Sequence, residues 1–489
     1  MGNTSINGNG GEVPAARKSF VIKALLPLVV GIAIALAPHP SGLTPNAWYF
    51  FSLFSAVVAV LILEPIPAAA IGFIGVSLAA AFMMVEATPA KSVAWALGGF
   101  SNSTVWLIFA AFMLALGYEK TGLGRRLGLL LVRSLGKNTI GLGYAIVLTD
   151  LILAPFMPSN TARSGGTIFP IIRHIPGLYG SEPGETARKI GSYVMWTALA
   201  ATCVTSSMFS TALAPNLLAL ELIKKTVHLE FSWTTWFVGF LPVGVILVAV
   251  LPALVYKIYP PEIKSSPEVP KWAAEELNKM GKVSHKEMLM AVLALLALGL
   301  WIFAQKLVNP TTVALIVISL MIISGIVSWD DIMSNKKAWS VLAWFATLVA
   351  LADGLAIVGF TAWLGKGAAT LLTGISPALI MVFMVAVFFI THYMFASTTA
   401  HTTAMLPVFL SAGAAVPGMN VSILALLLAY SLGIMGIITP YATGPSPVYF
   451  GSGYIGRKDF WTLGLVFGAI FLAVFLVVNT PFLFLIGLQ

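Results

Sequence analysis

The sequence predicts an all-α polytopic membrane protein with about eleven transmembrane helices, built from two inverted repeats that each hold a re-entrant helical hairpin and a broken helix. Three observations carry that prediction. Of 489 residues, 58% are hydrophobic and 9% are charged, more apolar surface than one soluble core can bury. Apolar runs of about 18–22 residues recur along the chain, each able to cross roughly 30 Å of hydrocarbon. A polar tripeptide, Ser159-Asn160-Thr161, interrupts one of these runs, and Ser397-Thr398-Thr399 interrupts another in the second half.

Composition narrows the function. The net charge is +9, but Lys and Arg lie between the apolar runs and form no continuous basic face, so they read as topology signals rather than a nucleic-acid surface. A single cysteine, Cys203, excludes an internal disulfide and cannot complete a structural zinc site. No cofactor and no metal is expected. The Gly-rich pieces at 122–124 and 451–453 follow no strand and precede no Lys-Ser/Thr pair, which excludes a nucleotide loop. No G-x-S-x-G elbow occurs, so no hydrolase is expected.

In chain order, residues 1–18 are expected to be a disordered cytoplasmic tail, Gly-, Asn- and Ser-rich. The run 20–38 has no small-residue cleavage site after it and reads as a retained span. Spans follow at 46–63, 67–85 and 104–118, with Glu64-Pro65-Ile66-Pro67 as a tight turn. The basic, Gly-studded stretch 121–136 suits a surface helix. The run 138–176 is broken by the first tripeptide, and Lys137 before it and Arg173, Arg188 and Lys189 after it put both ends on one side. That makes it a re-entrant hairpin. The span 190–224 is interrupted at 211–216, 235–257 crosses once more, and the charged segment to Glu287 links the halves.

The second half repeats this order. Spans lie at 288–308, 311–327 and 340–358, an amphipathic stretch at 360–373, a hairpin at 377–414, a span broken at 439–447, and a last span at 461–486. Ala214-Pro215-Asn216 matches Gly444-Pro445-Ser446. Counted from the second span, each half has five crossings and one hairpin; five is odd, so the second half starts on the opposite face and the repeats are inverted. The Lys/Arg distribution places the N-terminus in the cytoplasm and the C-terminus outside, in a multi-pass cytoplasmic-membrane protein. The expected parts are 19–137 and 288–375 as scaffold, 138–258 and 376–489 as the transport part, and 259–287 as a cytoplasmic linker.

In lipid, irregular backbone is tolerated only where protein buries it or where it lines a cavity, so the polar breaks point to a binding site. A hairpin tip offers the unpaired N–H groups of its returning helix, which favour an anion. Neither tip carries Asp or Glu, and two facing tips suit a substrate with two carboxylates. Ser/Thr clusters also serve helix packing, the bland alternative for either tripeptide alone. Arg163 and His401 hold the same place, two residues past each tripeptide, and are candidates for charge compensation. Arg163 could instead pair with Asp150, and His401 could be a hydrogen-bonded core histidine. Glu64, Asp353 and His392 are assigned no transport role.

These residues resemble the divalent anion:sodium symporter family, whose signature is a Ser-Asn-Thr tripeptide at the tip of each of two inverted hairpins. PSNTARSGGTIFPII together with HYMFASTTAHTTAMLPV is similar to its exchanger branch, which holds bacterial citrate/succinate and tartrate/succinate antiporters and the chloroplast 2-oxoglutarate/malate translocator. The resemblance implies a homodimer in the lipid bilayer and an elevator-type motion. It also implies substrate carboxylates held by Ser159, Asn160, Thr161, Ser397, Thr398 and Thr399, with Pro215, Thr443 and Pro445 beside them at the breaks. One departure matters. Sodium-coupled members carry Asn in the middle of both tripeptides, whereas the second here is Thr398, one hydroxyl in place of a carbonyl and an amide. The expectation is therefore a sodium-independent exchanger of C4/C5-dicarboxylates such as 2-oxoglutarate, malate or succinate, with fixed charge at Arg163 and His401 standing in for sodium. A sodium-coupled symporter of the same anions is the alternative; a channel or a membrane enzyme lies further away.

Overall fold

A computed structural model describes residues 15–304, 306–371 and 374–487. Its regular elements are helical, and an isolated bridge joins Asn138 to Ser265. Residues 1–14 of the expected tail and the terminal Gln489 lie outside the described residues. The tail also ends earlier than expected, because helix α1 (Ala15–Leu36) already includes residues 15–18. Ala-Ala-Arg-Lys there are all good helix formers.

The first half runs as follows. Helix α2 (Pro45–Leu63) is capped by Thr44, whose hydroxyl accepts from the Ala47 N–H, and ends at Glu64 in the left-handed region (φ 49°). Glu64 is therefore a helix-end residue. Helix α3 (Ala68–Ala81) follows, then α4 (Pro89–Gly98), which the sequence reading left as a connection, and α5 (Ser103–Thr121). The surface helix α6 (Leu123–Leu135) leads into the hairpin arm α7 (Thr139–Leu153). The returning arm is wound as a π-helix over Thr161–Ile168 before α8 (Phe169–Ile172). Pro170 supplies no N–H to the turn before it, and the Thr167 hydroxyl instead bonds the Ala162 carbonyl five residues back at 3.3 Å. Helices α9 (Gly191–Met208) and α10 (Ala214–Val227) form the first broken helix, and α11 (Trp233–Ile258) closes the half.

The linker carries an unexpected helix, α12 (Glu268–Met280), which packs on α6. Val269, Ala273 and Leu277 line its buried face at helical spacing, a pattern legible in the sequence. Arg125 pairs with Glu276 at 2.7 Å, and Arg126 pairs with Glu287 at 2.7 Å.

The second half matches the first element for element: α13 (His285–Phe303), α14 (Pro310–Ile323), α15 (Trp329–Ser334), α16 (Lys336–Ile357) and α17 (Phe360–Leu371). The hairpin is α18 (Pro377–Thr391) and α19 (Thr398–Ala414), the broken helix α20 (Val421–Ile434) and α21 (Ser446–Gly451). The last span is α22 (Arg457–Val474), a π-turn, and α23 (Thr480–Leu485). Lys120 at the end of α5 pairs with Asp331 just before α16, while the start of α5 bonds the start of α14 through the Thr311 hydroxyl and Ser103 carbonyl, 2.8 Å. Helices α5 and α16 are thus antiparallel, as inversion of the repeats requires.

The two broken helices form the centre. Every residue of α9 is buried, as is every residue of α20 after Val421, and they approach so closely that a Cβ at Gly433 would lie 2.3 Å from the Ser207 hydroxyl. Small residues permit that approach where lipid gives helices no hydrophobic reason to associate. A second apolar core, from Phe50, Phe54, Trp95, Leu351 and Phe360, lies apart from it and takes in Phe395 and Ala400 beside the second tripeptide.

Candidate functional site

Both tripeptides sit at the start of a returning arm, and the same two bonds shape each. The Ser159 hydroxyl accepts from the Ala162 N–H at 3.2 Å, and Ser397 from Ala400 at 3.4 Å. The Ser159 carbonyl accepts from the Arg163 N–H at 2.8 Å, and Ser397 from His401 at 3.1 Å. Each serine is an N-cap whose own O–H remains available to donate.

The breaks are also built alike. Asn216 donates to the Ser206 carbonyl ten residues back at 2.7 Å, and the Ser446 hydroxyl donates to Gly436, again ten back, at 3.3 Å. Pro215 and Pro445 stand beside these residues, buried, at the first turn of α10 and just before α21. Neither can continue the preceding hydrogen-bond ladder, which leaves carbonyls free in the break.

The tips converge on the second break. Asn160 donates to the Thr443 hydroxyl at 2.7 Å, and a Cβ on Gly444 would lie 1.8 Å from the Thr161 hydroxyl. From the other hairpin, Thr398 donates to the Ala442 carbonyl at 3.2 Å. Residues 442–444 therefore touch both tips. Ser159, Asn160, Thr398 and Thr443 are buried, while Thr161, Ser397 and Thr399 are half-buried.

Arg163 takes the alternative that sequence reading left open. Its guanidinium is fully buried and pairs with Asp150 at 2.8 Å. It also donates to the carbonyls of Met157 and Ala212, both at 2.7 Å, and to the Ser206 hydroxyl at 3.0 Å. Asp150 offsets its charge, so Arg163 presents no net positive charge to a substrate. What it does is tie the first tip (Met157) to the first break (Ala212) through a ring of oxygens of the kind that holds a cation. His401 lies among Phe388, Phe395 and His392, with ring centroids 4.4, 4.8 and 5.1 Å away, and its Nε2 is 3.2 Å from the Thr391 hydroxyl. No carboxylate of a described residue lies within 4.0 Å of it.

His392, to which the sequence assigns no transport role, places Nε2 2.8 Å from the Ala442 carbonyl, and Tyr449, which the sequence does not single out, bonds Ser164 in the first returning arm at 2.8 Å. A buried histidine one helical turn before a polar tip was the available signal for the first. Nothing in the sequence marked the second. No group of three or more His, Cys, Asp or Glu residues among the described residues could hold a metal.

Comparison with known proteins gives the family. The chain is 46% identical over 479 residues to the citrate/succinate antiporter of Escherichia coli K12, covering 95% of this chain and 98% of that one. It is 47% identical over 466 residues to the L-tartrate/succinate antiporter of the same strain, covering 93% and 96%. Two solved transporters share the fold alone, both with TM-score 0.55. These are Alcanivorax borkumensis YdaH, at 15% identity over 97% of this chain and 99% of that one, and Neisseria gonorrhoeae MtrF, at 13% over 98% and 97%. The model of the sodium:sulfate symporter transmembrane region matches residues 18–488. With that match and these relatives, the chain belongs to the sodium:sulfate (divalent anion:sodium) symporter family and is a membrane transporter rather than an enzyme.

Proposed function

We propose that the protein exchanges C4/C5-dicarboxylates, among them succinate, malate and 2-oxoglutarate, across the cytoplasmic membrane without sodium. The observation that carries this reading is the convergence of both tips on residues 442–444. Two sets of short donors, one for each carboxylate, then share one wall. The antiporter names of the relatives support the exchange mode and add citrate and tartrate to the candidate anions.

Sodium independence is supported by Arg163. The oxygens of Met157, Ala212 and Ser206 are already held by a covalently attached cation, so the first tip needs no soluble ion to take its shape. Exchange rather than net uptake follows from the tips themselves. Without substrate, the hydroxyl donors of Ser159, Thr161, Ser397 and Thr399 would cross the membrane barrier without a partner, at about 1–3 kcal/mol for each donor left buried. Carboxylates satisfy those donors, so the loaded carrier crosses faster than the empty one.

In this reading the parts 138–258 and 376–489 move as an elevator against a scaffold of 19–137 and 288–375, in a homodimer embedded in lipid, with 259–287 cytoplasmic. The N-terminus is cytoplasmic and the C-terminus outside. Cysteine labelling with an impermeant reagent at Lys264 and at Thr226 should then mark opposite faces. The sodium-coupled alternative rests on the retained Asn160. A counterflow panel tests the substrate class: unlabelled succinate, malate, 2-oxoglutarate, citrate and tartrate inside vesicles should each drive uptake of labelled succinate, and monocarboxylates should not. Equal stimulation by lactate would remove the two-carboxylate requirement.

A further inference from the structure

Helix α16 brings a cation to the first tip. Lys337, its second residue, places Nζ 3.4 Å from the Ser159 hydroxyl oxygen and 5.8 Å from the centre of the Phe112 ring. It borders a cavity of about 140 Å³ between α5, the first tip and α16, lined also by Glu119, Met157, Thr167 and Asn335. No carboxylate of a described residue, Glu119 included, lies within 4.0 Å of the ammonium. At the N-terminal end of a helix the dipole disfavours a cation, so α16 itself gives no reason for a lysine there. An ammonium and a serine O–H reach one small cavity at the start of α16, with Glu119 elsewhere on its wall, a pair of donors suited to a carboxylate.

The inverted repeat supplies the control. Asn335 caps α16 by accepting from the Ala338 N–H at 3.1 Å, just as Asn102 caps α5 by accepting from Val105 at 3.2 Å. Lys337 therefore corresponds to Thr104. There the local charge is reversed: Thr104 and Asn102 donate to the Glu221 carboxylate at 3.0 and 2.7 Å. One face of the membrane has a lysine where the other has a carboxylate.

We propose that Lys337 is a substrate-reading residue that binds one carboxylate of the dicarboxylate as it enters and leaves the first tip from the face bearing α12, making the two faces unequal in affinity. The proposal rests on the exchanger reading for its kinetics but not for binding. The test uses succinate, with equilibrium binding to purified protein and half-saturation of exchange measured separately in right-side-out and inside-out vesicles. Lys337→Gln should raise the half-saturating succinate about three- to tenfold on the α12 face, a range set by a charge-assisted bond weakened by solvent. The other face should stay within twofold, and Lys337→Arg should hold near the wild-type value. Lys337→Cys in a Cys203→Ala background should regain affinity with an aminoethyl thiosulfonate reagent and not with a sulfonatoethyl one. Half-saturation within twofold of wild type on both faces, an equal rise on both, or a fall in maximal rate alone would each overturn the proposal. If the wild type does not exchange succinate at all, the exchanger reading fails by itself. Binding then decides about Lys337: weaker binding by Lys337→Gln supports it, unchanged binding overturns it.

Discussion

The carbonyls of Ala212 and Ala442 occupy the same place in the two repeats, and they are held differently. Ala212 receives the Arg163 guanidinium, which is anchored on Asp150 and reaches the first tip in the same stroke. Ala442 receives His392 and the Thr398 hydroxyl, at 2.8 and 3.2 Å. Buried charge-assisted bonds are about twice as strong as neutral ones. The first tip is therefore fixed to its break by a buried ion pair, while the second is held by bonds without one. An inverted repeat need not be a functional mirror.

The largest expected break in this comparison comes from removing Arg163. Arg163→Met leaves Asp150 charged in the core without its counter-charge, with the Thr205 hydroxyl still donating to it, a loss of about 3–5 kcal/mol, and should lower Tm sharply and abolish exchange. The double variant Asp150→Asn/Arg163→Met should recover much of the Tm but not exchange, because Met157 and Ala212 remain untied. His392→Phe at the other break should cost only about 1 kcal/mol. Equal losses on the two sides would erase the distinction between the tips.

The donors proposed to hold the substrate come next. Ser159→Ala, Thr161→Ala, Ser397→Ala and Thr399→Ala should each weaken succinate binding by about 1.5–3 kcal/mol, roughly ten- to a hundredfold. The two serine variants also lose an N-cap, about 0.5–2 kcal/mol of stability, so only they should lower Tm. Unchanged affinity in all four would remove the tips from the site.

Gly444→Ala pushes a methyl into the Thr161 hydroxyl. It should cost about 1–3 kcal/mol as an overpacked contact and slow exchange. The matching Ala214 of the first break already carries a Cβ, so Ala214→Gly should lose no more than about 1 kcal/mol. The smallest effect is expected far from both tips. The hydrogen bond from Lys120 holds the Asp331 carboxyl down to about 2, so that contribution is fully present above pH 4 and fades only as pH falls through about 2. Asp331→Asn should leave exchange at neutral pH within twofold.

Much of this architecture is legible in the sequence because lipid enforces it: spans must be long and apolar, and polar breaks must be buried or line a cavity. The hairpins, both broken helices and the surface helices near 121–136 and 360–371 follow from that constraint. Helix α12 was hidden by its charge, since a linker rich in Lys and Glu reads as loop until the spacing of Val269, Ala273 and Leu277 is counted. The partners of Arg163 could be shortlisted but not ranked, because Asp150 and a bound anion are equally suitable for a guanidinium until distances are known. Lys337 is one of a Lys-Lys pair between apolar runs, a position that by pattern alone speaks only to topology. Its approach to Ser159 depends on how α16 packs against a hairpin some 180 positions earlier in the chain, which no local pattern encodes.

Tips preformed without sodium should give obligatory exchange. The most direct test is uptake of labelled succinate into proteoliposomes with or without internal succinate, in sodium and in choline. Rapid uptake is expected only with internal succinate, at the same rate in both salts. Rapid uptake into empty vesicles that requires external sodium would contradict this.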